Sequence, residues 1–572
     1  MAVSPTLSLL WQSPDSIPER PASDSLYEDL NVRRLVRSIA LNPRYENYVR
    51  DILLTITTDA SVIRYRQQVM VDLLNNPALV AQLHQLLEEI IALEEYLKAP
   101  QWEKNVLRQV AWRLSELQRY VDTVIGLHTV LVNAGDALQS TGLRQLRQSL
   151  TDIVESDIFQ HLRAELPDLV PKIRDVRSIT VGINLDLELR PLSATLLDTH
   201  EAHFVNQTML SRLFGMGSKK AKEGTPSDGP IHDARFVAGV ERYQVELNDR
   251  NSPFMPKLFR DLSELMDETS KPVVRALRKY TQINSQVLIM LKQDIAFYLG
   301  AVQAIQRIRE VGMPITQPKI LPLDERTFHV EGMYNINLLF QQFNKTVERT
   351  EIIGNDVHFG EDGRIFILTG PNQGGKTTYT TAIGLVQLLA QAGLPVPATS
   401  ARISPVDQIY THFAKEERPN LEAGRLGEEA RRLNSIFERA TRHSLILLNE
   451  SLASTAASES LFLAQDVVRA FRLLGVRAVF ATHLHELAAA CDDLNGRTDG
   501  DSKIISVVSK VQVIDEGNTI RRTYQITPAP PESKSYALEL AARYGISFAQ
   551  LKTTIESRNT DTDAQSSTQT GK

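Results

Sequence analysis

The stretch GPNQGGKT (370–377) sets glycines, a lysine and a hydroxyl residue at the spacing G-x-x-x-x-G-K-[ST]. Gly370, Gly374 and Gly375 let the loop, which also holds Pro371, Asn372 and Gln373, curl its backbone N–H groups around phosphate oxygens, Pro371 having none to give. Lys376 would neutralise the outer phosphates and the Thr377 hydroxyl would ligate Mg²⁺, with Thr378 next in the chain. A second stretch, SLILLNES (444–451), ends an apolar run in Asn449 and Glu450. A carboxylate at the end of a buried strand can orient an attacking water. A nucleotide hydrolase normally places an aspartate where Asn449 stands. Asparagine keeps the oxygen that accepts from a Mg²⁺-bound water but drops the charge, a loss of about 1–3 kcal/mol. The expectation is slowed but competent hydrolysis. His483 closes a third apolar stretch, VRAVFATH (476–483). The neighbouring HELAAAC lacks the second histidine of H-E-x-x-H, which argues against zinc.

These residues need elements to hold them. RIFILTG (364–370) precedes the glycine loop and the helical TTYTTAIGLVQLLAQ follows it. Strands separated by helical stretches after Pro322 imply a mostly parallel sheet covered by helices. Before it the pattern is helical from about Leu26 to Val170. Leu107, Val110, Leu114, Leu117, Val121, Val124, Leu127 and Leu131 step by three or four, as one helical face does. A similar run from Leu277 to Ile308, if unbroken, is a strut of about 50–60 Å; a folded-back bundle is the alternative. Ile179, Val181, Ile183, Leu185, Leu187 and Leu189 alternate strictly, predicting one strand with a buried face, ended by Pro191. A polar loop at 215–230 carries Lys219, Lys220 and Lys222, which either contact nucleic-acid phosphates or form a solvated tip.

The expected architecture is multidomain. It comprises a flexible arm at 1–25, an α-helical lever and core at 26–330, an α/β P-loop ATPase domain of ABC type at 331–558, and a disordered tail at 559–572. The core carries a small β-containing, clamp-like insertion at about 171–250. Of 572 residues, 42% are hydrophobic and 23% charged, ordinary values for a soluble globular protein. The net charge of −6 exerts no global pull toward nucleic acid, so DNA contact would rest on local basic patches. The single cysteine, Cys491, excludes an intrachain disulfide and suits a reducing cytoplasm. No signal peptide or uninterrupted apolar span is evident, so no membrane role is expected.

TGPNQGGKTTY (369–379) closely resembles the phosphate loop of the MutS family, the DNA mismatch-repair ATPases. NDVHF (355–359), PVPATSARISPVDQIYTHF (395–413), ATRHSLILLNES, FATHLHEL (480–487) and SKSYALELAARYGI (533–546) follow the family's order, and VIRYRQQVMVDLL (62–74) looks like the start of its helical core. The resemblance spans about residues 60–546. It implies ATP and Mg²⁺ as cofactors, Glu450 as general base, and His483 as the histidine that contacts the γ-phosphate, against the alternative of a core histidine. It places Gly424 and Arg425 at the end of a helix that binds ATP held by another subunit, so a homodimer is implied. Leu426, Ala430, Leu433, Ile436, Phe437 and Ala440 form that helix's apolar face.

Two further departures from the family stand beside Asn449. Gly424 replaces a serine, and Ile352 replaces the aromatic that stacks on adenine, leaving adenine against guanine open. No Phe-x-Glu stands before residue 60, so mismatch reading by a wedge is not expected, nor is a nuclease-like domain after residue 546. The expected function is an ATP-driven dimeric clamp on double-stranded or branched DNA, acting in repair or recombination on DNA structure. The alternative is an ATP-gated dimeric scaffold with an unnamed protein partner. A transporter ATPase lacks support without an LSGGQ-like signature, and an SMC-type protein would need far longer heptad runs.

Overall fold

The computed structural model describes residues 8–13, 24–98, 106–174, 178–185, 187, 191–200, 273–280, 283, 285–343, 351–414, 424–452, 456–514, 519–531 and 545–567. Two compact units make up the chain. One is Met1–Leu9 with Asn75–Ile295; the other is Leu10–Leu74 with Ala296–Lys572.

The first unit is built on helices Pro77–Lys98, Val106–Ala134, Thr141–Glu155 and Asp157–Arg174. The predicted stripe lies on Val106–Ala134, where Val110, Leu114, Leu117, Val121, Val124, Leu127 and Leu131 are all buried. Ser140 caps the next helix, its hydroxyl accepting from the Leu143 N–H at 3.3 Å. The predicted strut from Leu277 to Ile308 is broken. A short 3₁₀ turn, Arg278–Tyr280, precedes a helix at Gln286–Glu310, whose 25 residues span about 38 Å. Arg113 holds the break, its guanidinium donating to the carbonyls of Tyr280 (2.9 Å) and Ile283 (3.1 Å). Buried Ser285 donates to Glu116 at 3.0 Å across the same place. By length and composition alone Val287–Glu310 passes for a membrane span, yet 78% of its most apolar window is buried inside the protein. It reads as a core helix.

The single strand expected at 179–189 is instead a hairpin. Strand β1 (Ser178–Leu185) pairs antiparallel with β2 (Pro191–His200), and exposed Leu187 lies between them. Pro191 opens the second strand, the position where its missing N–H costs least. Lys219, Lys220 and Lys222 lie outside the described residues.

The second unit contains β3 (Lys319–Ile320), β4 (Phe328–Met333), β5 (Asn355–Phe359), β6 (Ile365–Thr369), β7 (Ser400–Ile403), β8 (Ile409–Phe413), β9 (Leu445–Asn449), β10 (Arg477–Ala481), β11 (Ile504–Ile514) and β12 (Thr519–Pro528). A six-stranded sheet runs β12-β11-β6-β10-β9-β8, parallel except for the β11–β12 pair. Every residue of β6, β8, β9 and β10 is buried, the reason β6, β9 and β10 read as largely apolar runs rather than alternating ones. A mixed four-stranded sheet, β3-β7-β4-β5, completes the unit.

Residues 26–74, expected within the lever, belong to this second unit. The reason is buried polar pairing. Fully buried Arg66 donates to the carbonyls of Leu10 (3.0 Å) and Gln391 (3.2 Å), and Gln391 donates to the Thr57 carbonyl at 2.7 Å. Gly384 lets the helix Lys376–Gln391 approach closely, since a Cβ there would lie 2.5 Å from Leu30. Within the expected loose arm, Leu9 and Leu10 are buried and Trp11 stacks under the Arg66 guanidinium at 4.1 Å. At the other end the helix Phe548–Ser567 includes residues 559–567, which the sequence assigned to a disordered tail.

Candidate nucleotide-binding site

Strand register assembles the site. Ala481 pairs with Asn449 on one side and with Leu368 on the other, so β6, β9 and β10 end at the same edge. Carboxyl ends of parallel strands are where an open α/β sheet offers a crevice. From β6 the chain enters the 370–375 loop and then the helix Lys376–Gln391. Gly370 (φ 141°) and Gly375 (φ 91°) occupy backbone conformations closed to ordinary side chains, and Gln373 also has a positive φ of 59°. Gly374 is held from β11, where the buried Ser509 hydroxyl donates to its carbonyl at 2.6 Å.

Lys376 is buried and folded back on its own loop, its Nζ donating to the carbonyls of Gly370 (2.9 Å) and Pro371 (3.1 Å). Burial holds its pKa below the usual lysine range, against the opposing pull of the Glu450 charge. The Thr377 hydroxyl donates to Asn449 Oδ1 at 3.0 Å. Glu450 adopts φ 53° just beyond β9, anchored by its N–H donating to the Ala481 carbonyl at 2.8 Å. His483 Nε2 lies 3.1 Å from Glu450 Oε1, with both side chains a little under half exposed. The structure therefore brings Lys376, Thr377, Asn449, Glu450 and His483 to one strand edge.

A cavity of about 450 Å³ opens beside the loop. Lys376, Thr377 and Glu450 line its polar end, and Tyr334, Leu338 and Ile352 its apolar part. Ile352 stands in the wall as expected, but ring surface is not absent there. Tyr524 lines the same cavity, lies over Gly375, is 44% exposed and has φ 56°. The sequence carries no signal for it, because a register irregularity between Ser509 and Val511 places it. Asn355 supports it: its amide donates to the Tyr524 carbonyl (3.1 Å) and its Oδ1 accepts from the Ile526 N–H (2.7 Å). Asn355 belongs to the NDVHF stretch, which the sequence marks without assigning this job. Arg522, also on β12, donates to Gln373 Oε1 at 3.0 Å.

Gly424 and Arg425 open the helix Gly424–Phe437, and their side chains lie outside the described ones. Leu433 and Ile436 of its predicted face are buried, while Leu426, Phe437 and Ala440 pack partly buried against the same core. Ala430 departs from prediction: it is exposed, and the neighbouring Glu429 is buried instead. An interior hydrogen bond to backbone makes burying that carboxylate possible: Glu429 accepts from the Leu452 N–H at 2.7 Å. Among the described residues no cluster of three or more His, Cys, Asp or Glu could hold a metal ion.

Comparison with known families adds identity to this geometry. Residues 58–311 match the MutS2 N-terminal domain and residues 366–557 match MutS domain V. The chain belongs to the MutS family. Among curated MutS relatives, "DNA mismatch repair protein MutS" of Desulfovibrio desulfuricans is 33% identical over 447 residues, 71% of this chain and 44% of that protein. "Endonuclease MutS2" of Streptococcus gordonii is 31% identical over 212 residues, 37% of this chain and 26% of its own length. "DNA mismatch repair protein MutS 2" of Halobacterium salinarum is 28% identical over 271 residues, 45% and 31% respectively. The matches span about a quarter to a half of the length of these MutS relatives.

Proposed function

We propose that this MutS-family chain binds ATP with Mg²⁺, hydrolyses it slowly, and works as an ATP-driven dimeric clamp on double-stranded or branched DNA. Its role would lie in DNA repair or recombination, sensing DNA structure. The observation that carries the nucleotide reading is the Thr377–Asn449 contact of 3.0 Å, with Glu450 next in the chain. A hydroxyl and an amide oxygen side by side are hard donors of the kind magnesium takes, through its waters where it keeps them. Bound there, Mg²⁺ would neutralise charge on the phosphate oxygens.

The protein's own groups supply the rest. Backbone N–H groups of residues 372–375 and the start of the helix Lys376–Gln391 cradle the phosphates. Lys376 exchanges two loop carbonyls for phosphate oxygens, which favours its charged form. Glu450 orients a water and takes its proton, and His483 steadies the carboxylate from 3.1 Å. Tyr524 offers a ring to the base, the role that Ile352 cannot fill. Gly424 and Arg425 at a helix start present N–H groups to a partner's nucleotide, the basis for proposing a homodimer.

ATP turnover, measured alone and with duplex, branched and single-stranded DNA, tests the reading. Magnesium-dependent turnover and DNA binding that weakens steeply with salt support it. Nucleotide binding with no affinity for any DNA would leave the dimeric scaffold with a protein partner. An obligate monomer that ignores ATP would remove both.

A further inference from the structure

Resting on the ATPase reading above, we infer that Glu429 is a positioning residue. It ties the helix Gly424–Phe437 to the backbone that aims Glu450. The segment 450–452 is unusual. Glu450 (φ 53°) and Leu452 (φ 63°) both sit in the left-handed region, which side chains with a Cβ enter only at a cost. Such backbone persists where surrounding contacts over-determine it, and among the described residues four neighbours, Ala481, His412, Ser460 and Glu429, do so here. The Glu450 N–H donates to the Ala481 carbonyl at 2.8 Å. Buried Ser451 donates through its hydroxyl to the His412 carbonyl at 2.9 Å, and that hydroxyl lies 2.6 Å from His412 Nδ1. Ser460 donates to the Leu452 carbonyl at 2.7 Å. The fourth is the Glu429 carboxylate, which accepts from the Leu452 N–H at 2.7 Å.

The first three contacts come from elements that pack in the core of the sheet. The fourth comes from the helix whose start, in the proposed reading, meets the partner's nucleotide. Glu429 is 6% exposed, and Leu452 is 2% exposed, so water does not substitute for this bond. A shift of the helix therefore pulls on the residue two positions from the general base. With no direct contact to nucleotide, Glu429 sets the aim of Glu450 and transmits the arrival of a partner to it.

Three full-length proteins test this: wild type, Glu429→Ala and Glu429→Gln. Steady-state ATP turnover, equilibrium binding of a fluorescent ATP analogue, and hydrogen–deuterium exchange over 446–460 are measured for each. Glu429→Ala is expected to lower kcat about 10–100-fold, as misplacement of a reacting group by about an ångström does. Nucleotide affinity should stay within about twofold, and exchange over 446–460 should rise selectively. Glu429→Gln keeps an acceptor oxygen and should restore most of the turnover and the protection. Equal losses of affinity and turnover, unchanged exchange over 446–460, or no rescue by glutamine would each overturn the inference. Should the wild type turn over no ATP, the ATPase reading fails by itself, and unchanged exchange in Glu429→Ala would then sink the latch separately.

Discussion

At the scale of single residues, the site turns on what Asn449 lacks. Its Oδ1 already accepts from Thr377, so the hydrogen-bonding half of an aspartate's job is in place and the charge is missing. Replacing Asn449 by Asp is expected to raise ATP turnover or tighten Mg²⁺ binding by roughly tenfold, the equivalent of about 1.4 kcal/mol. A magnesium titration of turnover checks it; a variant that changes neither refutes this account of the position. Lys376→Ala and Glu450→Gln should each cost about 100-fold or more in turnover. Their readouts differ, because losing the lysine also weakens nucleotide binding whereas Glu450→Gln spares it. For Tyr524→Ala the expected change is a nucleotide affinity lower by about 3–10-fold, the worth of one aromatic contact. Fluorescence titration with an adenine nucleotide measures it directly.

Elements show where periodic pattern stops being informative. The stripe of Val106–Ala134 was readable because a buried helical face repeats every 3.6 residues. The break before Gln286–Glu310 was not, since Tyr280, Ile283 and Val287 keep the apolar spacing across it, and Arg113, distant in sequence, stabilises the gap. Glu429 and Ala430 make the same point. An apolar residue was expected inward, and a carboxylate goes there because a backbone N–H awaits it. The link between β4 and the sheet yields a pH prediction. Hydrogen bonding from Arg326 holds Asp501 below the usual carboxylate range, with Arg442 adding to it. A carboxylate with a depressed folded-state pKa contributes stability above its unfolded value and loses it as pH falls through the folded one. Asp501→Asn should therefore lower Tm at neutral pH, and its difference from wild type should vanish as pH drops below about 4. Thermal melts at several pH values decide this.

On the scale of the whole molecule, the division of the chain matters most. Residues 10–74 fold with residues 296–572, although sequence placed 10–25 in a flexible arm and 26–74 in a helical lever. Buried Arg66 and the Gln391–Thr57 hydrogen bond explain why. Deleting residues 1–74 is therefore expected to leave a chain that is insoluble or melts well below the full-length protein, rather than an intact ATPase. A Tm equal to that of the full chain would contradict the division. The proposed clamp action belongs at this scale too. If the protein closes on DNA, binding measured across salt concentrations should fall linearly on logarithmic axes.

Sequence alone was enough to propose the chemistry, because a phosphate loop is a local object: eight consecutive residues carry the glycines, the lysine and the hydroxyl. It likewise marked Asn449, Glu450 and His483, since each stands within two residues of the end of an apolar run that becomes a buried parallel strand. Only the tertiary structure decided that these strand ends meet, that Tyr524 and Asn355 reach the cavity, and that Glu429 grips Leu452. Those contacts join positions far apart in the chain through register and buried hydrogen bonds, and neither leaves a periodic trace in the order of residues.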